Sequence, residues 1–133
     1  MKYLLDSNVV IALLKRQETV TERIYRHSRR DHGLSSIVIH ELLFGAYRSL
    51  RIERGMAALE GLRLTILDFN ADDARKAAEI RAHLATAGTP IGPYDVLIAG
   101  QALQRGLVVV TRNTREFSRV PGLAVENWED EAG

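Results

Sequence analysis

The spacing of apolar residues changes period several times along the chain. KYLL at the start is short, apolar and rich in strand formers, and it leads into VVIALLKR, which carries apolar residues around a helical turn and ends in bases. A strand followed by a helix is expected there. TVTERIYRHSRRD predicts a polar helix closed by Gly33, and LSS a short strand. IVIHELLFGAYRSL has helical spacing, with Val38, Glu41, Leu42 and Gly45 on one face and Ile37, Glu41 and Phe44 sharing its other edge. RIERGMAALEG reads as a further helix and LRLTILDF, by alternation and β-branched content, as a strand. Asn70 caps ADDARKAAEIRAHLATAG, a long helix with acids in its first turn and glycine at its end, and TPIGP forms a turn. Pro93 suits the first position of PYDVLIAGQALQRG, and Gly106 stops it. LVVVT is a buried type of strand, NTREF a short helix and AVENW a final edge strand.

Strands alternating with helices predict an α/β fold: a parallel, mostly doubly wound sheet with helices on both faces. At 133 residues and 46% hydrophobic content, one core and one domain spanning 1–133 are expected. No repeat or linker interrupts the chain, and the helix-rich stretch 37–61 is its least regular part, suited to a small cap on the sheet.

Composition narrows the chemistry. With 18 basic and 17 acidic side chains the net charge of +1 supplies no global field, so any polyanion must be held by a local patch. The absence of cysteine excludes disulfides, thiolate metal sites and cysteine nucleophiles, and fits a reducing compartment. The longest apolar run near the start, VVIALL, is far short of the roughly 20 residues that span a bilayer, and Asp6 and Asn8 break any secretory pattern, so a cytoplasmic protein is expected.

In open α/β sheets ligands bind beyond the carboxyl ends of the strands. Asp6 ends the first predicted strand and Thr111 to Asn113 end the LVVVT strand, so both belong to that edge. Taken alone, Asp6 is equally a helix cap accepting the backbone N–H of Asn8 or Val9. Glu41 lies on the apolar face of its helix, where a carboxylate needs a partner: either a structural arginine or a role in a site. The neighbouring His40 does not make a zinc-protease motif, because Phe44 stands where H-E-x-x-H requires its second histidine. Asp95 occupies a first helical turn that favours acids, behind a rigid turn that fixes its direction. Asn113 offers another cap and Glu116 an ordinary surface acid. Together these residues gather along one sheet edge, where two like charges about 4 Å apart repel by about 4 kcal/mol at an effective dielectric of 20. Such a cluster calls for a cation, and with oxygen donors and four scattered histidines the choice is Mg²⁺ or Mn²⁺.

The segments YLLDSNVVIALL, SSIVIHELLFGA, IGPYDVLIAGQAL and LVVVTRNTREFSRVPGLAVENW resemble, in the same order and over nearly the whole chain, PIN-domain ribonucleases, and more narrowly the VapC toxins of bacterial toxin-antitoxin pairs. The resemblance implies a metal-dependent endoribonuclease with its acids at the carboxyl edge of a parallel sheet. By motif, Asp6, Glu41 and Asp95 carry over as site residues, with Asp6 and Asp95 as metal ligands. Many family members have T-x-D where this chain has Asn113, with Glu116 three residues on, so Asn113 or Glu116 completes the set. The match to TRNTREFSRVPGL implies tRNA, specifically the anticodon loop of initiator tRNA, as substrate class. It further implies a VapB-type antitoxin that covers the site and binds operator DNA, and a homodimer or toxin-antitoxin hetero-oligomer.

The reaction implied is hydrolysis by in-line attack of activated water, leaving a 5′-phosphate and a 3′-hydroxyl. For the polyanion, Arg112 and Arg115 flank the fourth position and are the better phosphate candidates, while Arg23, Arg26 and Arg30 share a face of the second helix. Three other readings compete. DSNVV approaches the D-x-D-x-[TV] of haloacid-dehalogenase-like phosphohydrolases but lacks the second aspartate. A phosphoacceptor receiver domain is similar in size but requires an acidic pair and a lysine that are not so arranged. A PIN-like module that binds RNA without cutting it fits the missing T-x-D aspartate.

Overall fold

The computed structural model describes residues 1–129; the expectation of one domain over 1–133 therefore extends to residues 130–133, outside the described part. Strand β1 (Tyr3–Leu5) is fully buried, as befits three apolar residues at the centre of a parallel sheet. Helix α1 (Ser7–Leu14) follows at once, then α2 (Glu18–Tyr25), a 3-10 turn (Arg29–Asp31) and β2 (His32–Ser35). Helices α3 (Ser36–Arg48) and α4 (Ile52–Leu62) lead to β3 (Thr65–Leu67). The chain continues through α5 (Ala71–Ala87), α6 (Pro93–Arg105), β4 (Val108–Val110), α7 (Thr114–Phe117) and β5 (Val125–Glu126).

All strand pairs are parallel, in the order β3-β2-β1-β4-β5. This order disagrees with the 2-1-3-4-5 arrangement a receiver domain requires. The chain winds outward from β1 to β3, then crosses back to β4, so right-handed crossovers place α1 to α4 over one face and α5 to α7 over the other. The winding reverses between β1 and β4. The carboxyl ends of those two strands are the crevice of the fold, and Asp6 and Thr111 are the first residues beyond them.

Local chemistry explains most boundaries. Asn70 and Asp73 form a capping box at the start of α5, with bonds of 3.0 and 2.9 Å, and Gly88 and Gly106 end α5 and α6 in the left-handed conformation. Asp73 is also bound by Arg105 of α6 at 2.8 Å, and a Cβ at Gly100 would stand 2.6 Å from the Cα of Ala77. These two helices therefore touch backbone to backbone.

Two expectations fail in the TVTERIYRHSRRD region. The polar helix ends at Tyr25, and Gly33 is not its stop but a residue of β2, its missing Cβ space taken by the sulfur of Met1 at 2.6 Å. The strand begins at His32 because pairing with Tyr3 and Leu4 extends it beyond LSS. Arg30 consequently lies in the 3-10 turn, not on a helical face shared with Arg23 and Arg26. The same pairing stacks Tyr3 on His32, with ring centroids 5.7 Å apart, and Trp128 closes edge-on over both. His32 is completely buried, and among the described residues neither ring nitrogen has a partner within good hydrogen-bond geometry.

Candidate active site

Asp6 is only 3% exposed and both its oxygens are engaged. It does cap α1, but through Oδ1 accepting the N–H of Ser7 at 2.8 Å, rather than that of Asn8 or Val9. Oδ2 accepts the hydroxyl of Thr111 at 2.8 Å and the side-chain amide of Asn8 at 3.1 Å. The cap thus uses one oxygen of the carboxylate, and Asn8 and Thr111 hold the other. Asn8 accepts the backbone N–H of Arg112 at 3.0 Å, and the Asn113 N–H donates to Thr111 Oγ1 at 3.0 Å. The start of α1 and the end of β4 are thereby tied into one rigid edge.

Glu41 enters this edge from α3. Its Oε1 is buried without a partner, and among the described residues no arginine pairs with it. Burial, and then the field of Asp6, push its carboxyl above the usual range, countered in part by His40 and the Ser7 hydroxyl. Asp95, third residue of α6, is pushed up to about 7 by burial, by a hydrogen bond with Glu116 and by the fields of Asp6, Glu116 and Glu41. Gly92 leaves the room this needs: a Cβ there would lie 3.0 Å from Asp95 Oδ2. Glu116 moves the other way, held below its usual range first by the Asn113 amide, which donates to its Oε2 at 2.8 Å, and then by Asp95. The two carboxyls titrate as a pair, Asp95 shifted upward and Glu116 downward.

The structure therefore brings Asp6, Glu41, Asp95, Asn113 and Glu116 to one edge. Asn113 and Glu116 are not alternatives but partners. Arg115 is exposed beside them, whereas the exposed Arg112 reaches towards Glu129 at 3.8 Å. Thr111, Asn8 and Gly92 were not singled out by motif, although the first residue after a strand at the sheet's reversal point is a place to look.

These residues suit a hard divalent cation in donor type. Every converging side chain offers oxygen, one carboxylate oxygen is buried and unsatisfied among the described residues, and burial and crowding of the acids push the Glu41 and Asp95 carboxyls upward. The carboxylates are not already closed into a cage: among the described residues no three His, Asp or Glu side chains are gathered tightly enough to hold a metal ion. The fit rests on chemistry and charge, with closure left to side-chain movement.

A family model for the PIN domain matches residues 3–123. The chain belongs to the PIN-domain family. Over 96% of its length this PIN domain is 47% identical to the tRNA(fMet)-specific endonuclease VapC of Salmonella typhimurium, covering 98% of that protein. It is 41% identical, with the same coverages, to the tRNA(fMet)-specific endonuclease VapC of Shigella flexneri. The crystal structure of DNA-bound VapBC from Salmonella typhimurium matches with a TM-score of 0.89 at 46% identity, over 96% of this chain and 98% of that one. The resemblance read from the sequence is thus upheld, and this PIN domain falls in the VapC family of ribonucleases.

Proposed function

We propose that the chain is the toxin of a toxin-antitoxin pair, a Mg²⁺-dependent endoribonuclease that cuts tRNA, with initiator tRNA as its specific substrate. The observation that carries the site assignment is the mutual effect of its acids: Asp6, Glu41 and Glu116 all act on Asp95, which keeps a proton to about pH 7. The tRNA substrate rests on the names of the two relatives at 47% and 41% identity.

Asp6 and Asp95 would hold the cation, with Glu41 facing them and Asn113 and Glu116 completing the rim. A bound Mg²⁺ supplies Lewis acidity and neutralises charge on the phosphate. The protein's own part is orientation and proton traffic. Ser7, Asn8 and Thr111 fix the Asp6 carboxylate so that it does not swing into solvent. Glu41, buried and raised, can accept a proton from an attacking water, and Arg115 offers an exposed guanidinium to the RNA backbone.

A partner surface lies next door. A groove of about 380 Å³ lined by Ile11, Leu14, Leu42, Gly45, Gly55 and Leu59 opens beside Ser7 and Glu41. It suits an apolar segment of an antitoxin, which would cover the site from there. Purified protein is expected to cleave tRNA with Mg²⁺, and EDTA or Asp6→Asn to abolish cleavage while the fold survives. Undiminished cleavage by Asp6→Asn would refute this site, and tight tRNA binding without cleavage would favour the non-cleaving module.

A further inference from the structure

The motif residues account for charge and metal but leave open how the nucleotides beside the cut are held. A nuclease acting on an unpaired strand must splay and support the flanking bases, and aromatic faces are the usual support. Among the described residues, the other ring pairs all belong to the Tyr3, His27, His32 and Trp128 cluster, in which Tyr3, His32 and Trp128 are buried and His27 is half-buried against them. One pair does not. His40 of α3 and Tyr94 of α6 meet with ring centroids 5.5 Å apart, inclined at 45°. Both are exposed, Tyr94 at 46%, so neither ring is explained by core packing.

Their position is the informative part. His40 precedes Glu41 and Tyr94 precedes Asp95, so each ring sits one residue from an acid of the site, on the same two helices that supply those acids. Proximity is also electrostatic, since His40 acts on the Glu41 carboxyl. Pro93 and the Gly92 turn set the direction of Tyr94, as they do for Asp95. The pair forms a rim across the gap between α3 and α6.

We propose that His40 and Tyr94 form a stacking platform for an unpaired RNA base next to the cleaved phosphodiester, a substrate-binding role that rests on the ribonuclease reading above. Tyr94 supplies the larger face, and His40 braces it while adding a hydrogen-bonding edge for the base or its phosphate. Stacking of this kind tolerates any base, so the platform holds the strand in place and leaves sequence choice to other contacts.

The test uses the full chain carrying Asp6→Asn, titrated into short single-stranded oligoribonucleotides with the fluorescent adenine analogue aminopurine at successive positions. One position is expected to change its fluorescence on binding as the analogue leaves its neighbours and stacks on protein. Adding Tyr94→Ala should abolish that signal and weaken binding by between about fivefold and about a hundredfold. Tyr94→Phe should retain both, and His40→Ala should weaken both to a smaller extent. Signal and affinity unchanged in Tyr94→Ala overturn the platform even if the active chain cleaves RNA normally. Loss of self-association in Tyr94→Ala with RNA binding intact likewise overturns it, making the pair a protein contact. Failure of the unsubstituted chain to cleave any RNA overturns the ribonuclease reading and the platform with it.

Discussion

Replacing Asp95 with asparagine should make the metal-free protein more stable while removing its activity. In the fold this carboxyl titrates at about 7 instead of its ordinary 3.8, and at about 1.4 kcal/mol per tenfold the difference sets a ceiling of about 4 kcal/mol on the cost of ionising it. Two effects reduce the ceiling: Glu116 is shifted the opposite way and the pair titrates together, and the site is partly open to screening water. A gain of about 1 to 3 kcal/mol at pH 8 is therefore expected for Asp95→Asn. The sign follows from linkage. Between roughly pH 4 and pH 7 the folded chain binds a proton that the unfolded chain has released, so this group's contribution to stability falls as pH rises through that window and is fully lost above it. Asparagine does not titrate, so its advantage should be near zero below about pH 4, rise through pH 5 and 6, and reach a plateau by pH 8. Urea denaturation of both proteins in EDTA across that range measures it. A difference that is flat with pH, or a less stable Asp95→Asn protein at pH 8, would refute the electrostatic account of the site. Adding Mg²⁺ at pH 8 should stabilise the parent, by about 1.4 kcal/mol at tenfold excess over its dissociation constant, and not the variant.

Three further outcomes follow from neighbouring features. Burial, and then His27, hold the His32 imidazole below its usual range, so the unfolded chain takes up the proton first and stability should decline as pH drops below about 6.5; His32→Phe should flatten that limb in denaturation curves. Gly100→Val should destabilise by about 1 to 3 kcal/mol or more in thermal or urea melts, because even its Cβ would stand 2.6 Å from Ala77 backbone, and equal stability would contradict the close helix contact. Thr111→Val removes the hydroxyl that donates to Asp6 at 2.8 Å, so kcat for RNA cleavage should fall by about tenfold to a hundredfold while the fold persists by circular dichroism.

Of the three acids legible in the sequence, only Glu41 breaks a local pattern, by standing on an apolar helix face. Asp6 and Asp95 occupy positions where a cap or a first helical turn favours acids, and what drew attention to them was the sheet edge they share. The parallel sheet was equally legible, since alternating strands and helices admit few other architectures. The relation of Asn113 to Glu116 was not, because three residues of spacing at a short helix start permit either a cap or a side-chain bond, and only the fold chooses the 2.8 Å bond between them. Thr111 was placed on the ligand edge by its strand, but its bond to Asp6 was not legible, because nothing local says that β1 and β4 are neighbours. The failed reading of Gly33 as a helix stop has the same origin. Its neighbour His32 is claimed by pairing with Tyr3, a contact that no local propensity encodes.

The bond between Thr111 and Asp6 joins residues 105 positions apart in the chain. A ribosome adding about 5 to 20 residues per second makes the first of them about 5 to 20 seconds before the second. Through that interval β1 has no β4 beside it, and the edge that gathers the acids does not exist. The nascent polypeptide therefore emerges without a finished blade, and the edge that gathers its acids closes only once β4 has been made and has paired with β1.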